Sequence, residues 1–127
     1  MKIKLLLSLL IFIFSLGCKK DRITSKIATF NITNSSSFII KEIDIKLQDG
    51  IKRIDAIALS NIDINKKETR VINLSSFNIK GDAGYIAIVT LSDDKKIEKR
   101  FGYIINGLDV NTRPYNVEIS NDEIIIK

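Results

Sequence analysis

The feature that most constrains this chain is an alternation. In residues 39–47, Ile43, Ile45 and Leu47 fall on one side of an extended backbone, with Glu42, Asp44 and Lys46 on the other. Successive side chains of a strand point to opposite faces, so this pattern describes a strand with one face on a core and the other in water. Asp49-Gly50 then supplies a turn pair. The same pattern recurs along the chain. Residues 27–33 set Ile27, Thr29 and Asn31 against Ala28, Phe30 and Ile32, before the turn cluster Asn34-Ser35-Ser36-Ser37. Residues 84–91 are apolar on both faces, as a central strand is, and a turn at residues 92–96 leads into a returning strand at residues 97–105. On that strand Ile97, Phe101, Tyr103 and Ile105 are expected to share the core face, opposite Glu98 and Arg100.

The remaining stretches complete an all-β reading. Residues 52–59 suit a helical turn as well as a strand, because Ile54, Ile57, Ala58 and Leu59 are not strictly alternate; they are read as strand. Ile62 and Ile64 form a short alternating piece, residues 65–68 a polar turn, and residues 71–74 another strand. Asn106-Gly107 breaks the chain, residues 111–114 loop around the one proline, and Tyr115, Val117 and Ile119 make a strand face. Asn121-Asp122 turns the chain into a closing strand at residues 124–126. Isoleucine accounts for 26 of the 127 residues, so β-branched content by itself decides little, and the assignment rests on alternation and turn placement. About seven or eight short strands, with turns roughly every eight to twelve residues, predict an antiparallel β-sandwich of immunoglobulin-like or transthyretin-like type over residues 27–127. With one cysteine and no tryptophan, the Cys–Trp–Cys signature of antibody domains is absent.

Residues 1–17 read differently. Lys2 and Lys4 precede an apolar run at residues 5–16, which ends at Gly17. A helix of that length is about 18 Å long, too short for a hydrocarbon core of about 30 Å, and the arrangement is that of a secretory signal. Cys18 follows directly. The stretch Ser15-Leu16-Gly17-Cys18 resembles the lipobox of bacterial lipoprotein signal peptides, with Gly17 and Cys18 at its most specific positions and Ser15 departing from the preferred leucine. The resemblance implies a diacylglycerol on the Cys18 sulfur, cleavage before Cys18 and acylation of the new amine. Two or three acyl chains supply the several anchors that stable attachment requires. Residues 18–26 then serve as acylated cysteine and tether. The stretch FGYIINGLDVNTRPYNVEI is similar to a segment of small lipoproteins of Bacteroidota, which implies no particular activity.

Without residues 1–17 the chain carries 18 basic and 15 acidic side chains, too mild and even a balance for nucleic acid. Histidine is absent, which removes the usual general base, Ser-His-Asp and Cys-His arrangements, and imidazole zinc sites. The lone thiol is expected to be acylated, and no internal disulfide can form. Asn61, Asp63 and Asn65 have the oxygen spacing of a calcium loop, but Lys66 and Ile72 stand where that loop needs Gly and Glu. No catalytic residue, metal or cofactor is therefore expected. Basic pairs at residues 52–53, 66–67, 95–96 and 99–100 read as solubility and edge protection, or as contacts to anionic lipid or glycan. Tyr85, Tyr103 and Tyr115, with Phe101, suggest either core or a sugar-stacking platform, with Tyr103 expected in the core. The chain is thus expected to be a lipid-anchored envelope protein of a Gram-negative outer membrane, with a non-catalytic module that binds an envelope protein or glycan. The alternative is a periplasmic inhibitor or immunity lipoprotein acting on a secreted toxin or hydrolase.

Overall fold

A computed structural model describes residues 24–127. Cys18 and the expected signal segment lie outside the described residues. Nine strands are present: β1 (Ile27–Asn34), β2 (Ile40–Asp49), β3 (Lys52–Ile62), β4 (Lys67–Asn73), β5 (Asp82–Leu91), β6 (Lys96–Ile105), β7 (Leu108–Asp109), β8 (Tyr115–Ile119) and β9 (Ile124–Ile126). They form two packed sheets, of order β4-β1-β8-β9 and β3-β2-β5-β6-β7. The all-β sandwich expected from alternation is what the chain adopts. The two-residue β7, which alternation does not mark, brings the count to nine, and one pair, β1 with β8, is parallel. No helix among the described residues is long and apolar enough to cross a membrane.

The core is the set of inward side chains that the alternation marks. Ala28, Phe30 and Ile32 of β1 face Ile43, Ile45 and Leu47 of β2 and Tyr85, Ala87, Val89 and Leu91 of β5, with Val117 and Ile119 of β8 closing the far side. Burying a side chain of this size stabilises by about 1.5–3 kcal/mol, which is how a chain this short holds together by packing. β5 lies between β2 and β6 and is buried on both faces for part of its length. Ile86 is fully buried on the outer face of the sheet, where it pairs with Lys46 and Arg100. The aliphatic stems of such long cations cover apolar surface while their charges stay in water.

Two bulges explain where the alternation misleads. In β3, Ile57 pairs with Ile45 and Asp55 with Lys46, which leaves Ala56 unpaired. The extra residue shifts the period by one, and this is why residues 52–59 read equally well as a helical turn. In β6, Phe101 pairs with Tyr85 and Ile104 with Ala83, so Gly84 opposes both Gly102 and Tyr103. The core face therefore passes from Phe101 to Ile104. Tyr103 is exposed, contrary to its expected place in register with Phe101 and Ile105.

One end of the sandwich is sealed by a buried polar residue. Asn34, fully buried, donates from Nδ2 to the carbonyls of Phe38 (2.8 Å) and Ile62 (3.0 Å). Its Oδ1 accepts from the Ser36 amide (3.1 Å) and hydroxyl (2.6 Å). All four hydrogen-bonding positions of the amide are used, as burial of such a group requires. The Asn-Ser-Ser-Ser turn is thus a built junction between β1, β2 and β3.

Candidate functional site

Two polar constellations stand out, one inside the sandwich and one on its surface. The interior one begins with the turn Asn106-Gly107, both at positive φ (51° and 76°), which folds β7 back on β6 and sets Asp109 opposite Ile104. Asp109 is completely buried. Its Oδ2 accepts from the Tyr85 hydroxyl at 2.7 Å, and its Oδ1 accepts from the Asn111 amide at 2.8 Å. The Tyr115 hydroxyl lies 2.9 Å from Oδ1 and 3.1 Å from Oδ2. The rings behind these hydroxyls form a cluster with Phe30: Phe30 meets Tyr85 edge-on at 5.1 Å and stacks on Tyr115 at 5.5 Å. Burial pushes both phenols well above the ordinary tyrosine value, and their hydrogen bonds to Asp109 add to it. Three donors on one buried carboxyl group join Tyr85 of one sheet to Tyr115 of the other.

The same residue fastens the incoming chain. The Ser25 amide donates to the Asp109 carbonyl (2.9 Å), and the Asp109 amide donates to the Ser25 carbonyl (2.8 Å). Lys26 then accepts from the Leu74 amide at 2.7 Å. Ser25 and Lys26, at the end of the expected tether, are thus already tied to the domain.

The surface constellation lies on the outer face of the four-stranded sheet. Register places Asn31 beside Thr69 of β4 and Asn116 of β8, and the side chains follow: the Thr69 hydroxyl donates to Asn31 Oδ1 (2.8 Å), and Asn31 Nδ2 donates to Asn116 Oδ1 (3.2 Å). Lys127 Nζ reaches Glu118 Oε2 at 2.9 Å, and that contact lowers the Glu118 carboxyl below its usual range. Two shallow grooves flank this ladder. One, of about 480 Å³, is lined by Asn31, Asn111, Arg113, Pro114, Asn116 and Lys127. The other, of about 350 Å³, runs past Thr33, Ser35, Lys67 and Glu118. The face offers amides, hydroxyls and a cation in a row across three strands.

The aromatic residues expected as a possible platform do not gather on a surface. Tyr85 and Tyr115 are interior, Phe101 is half-buried against them, and Tyr103 stands outside with its hydroxyl on Asp82 at 2.7 Å. Asn61, Asp63 and Asn65 end β3 and enter the turn to β4, in which the Lys66 amide donates to the Asp63 carbonyl and the Asn65 amide to the Asn34 carbonyl. Among the described residues, no three His, Cys, Asp or Glu side chains come together as a metal site needs. Asp109 carries no motif that sequence reasoning detects. Its one signal is indirect: buried phenols need hydrogen-bond partners. No family model matches the sequence, and no curated protein matches it. Among solved structures, the chain is similar to an NMR structure of the protein from Eubacterium rectale, with a TM-score of 0.45 and 15% identity, over 87% of this chain and 94% of that one.

Proposed function

We propose that this chain is a cell-envelope lipoprotein, held by acyl chains on Cys18 to the outer membrane of a Gram-negative bacterium, whose sandwich binds an envelope glycan without catalysing a reaction. The observation that carries the anchoring is the run of residues 5–18, a short apolar segment ending in Gly17-Cys18. The Thr69–Asn31–Asn116 ladder supports a polar ligand, because hydroxyls and amides in a row match the alternating donors and acceptors of a sugar chain. The reading as a non-catalytic module is supported by Asp109, the one fully buried carboxylate among the described residues, whose oxygens are occupied by its own neighbours.

Two measurements test this. The Cys18→Ser chain is expected to lose labelled palmitate and to leave the membrane fraction; a variant that still takes label, or that partitions as the parent does, refutes the anchoring. For binding, the detergent-solubilised chain is expected to co-sediment with isolated cell-wall glycan. Replacing Asn31 and Asn116 with alanine removes hydrogen bonds worth about 0.5–1.5 kcal/mol each, a loss of roughly tenfold in retention for the pair. Equal retention of parent and double variant removes this face as the binding surface.

A further inference from the structure

The two ends of the sandwich differ in charge and in how that charge is used. One end carries Ser25, where the chain enters, together with the β2–β3 turn, residues 74–81 and the loop at residues 110–114. The opposite end carries the turns at residues 35–39, 63–66, 92–95 and 120–123. Asp63, Asp93, Asp94, Asp122 and Glu123 gather at that far end. Three of the five lysines there are engaged, Lys41 with Asp94 (3.1 Å), Lys66 with Glu68 (3.7 Å) and Lys95 with Asp122, while Lys67 and Lys96 form no ion pair among the described residues. At the entry end Lys26, Lys52, Arg53, Lys80 and Arg113 are all exposed, and none forms an ion pair among the described residues.

The entry end also holds an unusual apolar residue. Ile51 sits at the tip of the β2–β3 hairpin, beside Gly50 at φ 61°, and its relative exposure is 102%. Hairpin tips ordinarily take Gly, Asn or Asp, whose conformations and hydrogen bonds suit the turn; an isoleucine there is held by nothing in the fold. Ile27, Val110 and Tyr103 are exposed toward the same end. The far end exposes Ile39 and Ile64, where lysines and carboxylates are mixed.

We infer that the entry end is a lipid-contact surface, with Ile51 entering the headgroup layer of an anionic membrane and the five free cations facing lipid phosphates. The inference rests on the attachment at Cys18. Six residues lie between Cys18 and Ser25, seven backbone steps that span at most about 25 Å when fully extended. A sulfur fixed in the bilayer therefore holds this end of the domain close to the surface. Basic residues within a Debye length of an anionic surface are attracted to it, and an apolar side chain among them gains by burial at the headgroup–acyl boundary. The strands then stand away from the membrane, and the Asn31–Asn116 face opens sideways into the envelope.

The chain contains no tryptophan, so a single introduced indole is a clean reporter. Ile51→Trp is compared with Ile64→Trp at the far end, each in the full chain purified from membranes and reconstituted into phosphatidylglycerol vesicles with brominated acyl chains. In the first variant, about half of the emission is expected to be quenched, as befits a ring roughly 5–10 Å into the boundary; the second should be unaffected. Adding Lys52→Glu and Arg53→Glu to the first, or using phosphatidylcholine alone, should bring its quenching down to that of the second. Equal quenching of the two variants in chains that float with the vesicles overturns this inference and leaves the attachment standing. Chains that fail to float overturn both.

Discussion

Asp109→Ala should destabilise the sandwich by about 3–5 kcal/mol, because each buried donor stranded without an acceptor costs about 1–3 kcal/mol. Three donors lose their acceptor at once: the hydroxyls of Tyr85 and Tyr115 and the amide of Asn111. Asp109→Asn keeps one carbonyl oxygen and should cost about 1–3 kcal/mol. Urea unfolding followed by circular dichroism measures both; an alanine variant as stable as the parent refutes the role of the carboxylate. The pH dependence gives a second readout. Both phenols titrate higher in the folded chain than the ordinary value of 10.0, so the unfolded state releases protons first as the pH rises. Their contribution is complete below pH 10 and is lost progressively above it. In the Tyr85→Phe, Tyr115→Phe double variant the alkaline slope of stability should be shallower, and an unchanged slope would count against the raised values.

Gly102→Ala is the second large effect, expected at about 2–5 kcal/mol. Gly102 lies at φ 72°, where a side chain costs about 1–2 kcal/mol. A Cβ there would also stand 2.6 Å from the Tyr85 ring and 2.9 Å from the Tyr115 hydroxyl. Overpacking of that kind costs about 1–3 kcal/mol more. Gly107→Ala separates the two causes. Its φ is 76°, but nothing lies within 4 Å of the added carbon, so it should show only the conformational part. If the two alanine variants unfold at the same urea concentration, the contact between Gly102 and the tyrosine pair has no energetic weight.

Most of the architecture was legible because burial on one face of a strand writes itself into the sequence as a period of two. β1 and β8, the core face of β5, and β2 from Ile43 onward follow that rule, and their turns carry Asn, Asp, Gly or Ser where the backbone reverses. The misreadings come from single inserted residues. Ala56 in β3 and the Gly102–Tyr103 pair in β6 each displace the inward face by one, which a period cannot register. A strict period of two places Tyr103 in the core, whereas it is exposed. The parallel pairing of β1 with β8 joins segments some 85 residues apart, as the Asn31–Asn116 bond illustrates, and nothing local encodes it. The surface ladder was hidden for the same reason: Thr69, Asn31 and Asn116 are ordinary polar residues until three strands bring them side by side. Asp109 was hidden differently. A lone acidic residue in a turn-rich stretch looks solvated, and only the convergence of two tyrosines marks it as interior.

The way the chain enters the sandwich also determines how the domain bears a pull. Tension applied through the N-terminal side reaches the Ser25–Asp109 bridge first and then β1, which runs between β4 and β8 with hydrogen bonds on both flanks. A load resisted at the far end acts along those ladders in shear, so their bonds must yield together, whereas a strand pulled from an edge would unzip one bond at a time. The two-residue bridge can let go and lengthen the leash while the sandwich stays intact. Placing the entry strand inside a sheet makes the domain a mechanical clamp, able to stay folded when its N-terminal side and its far end are drawn apart.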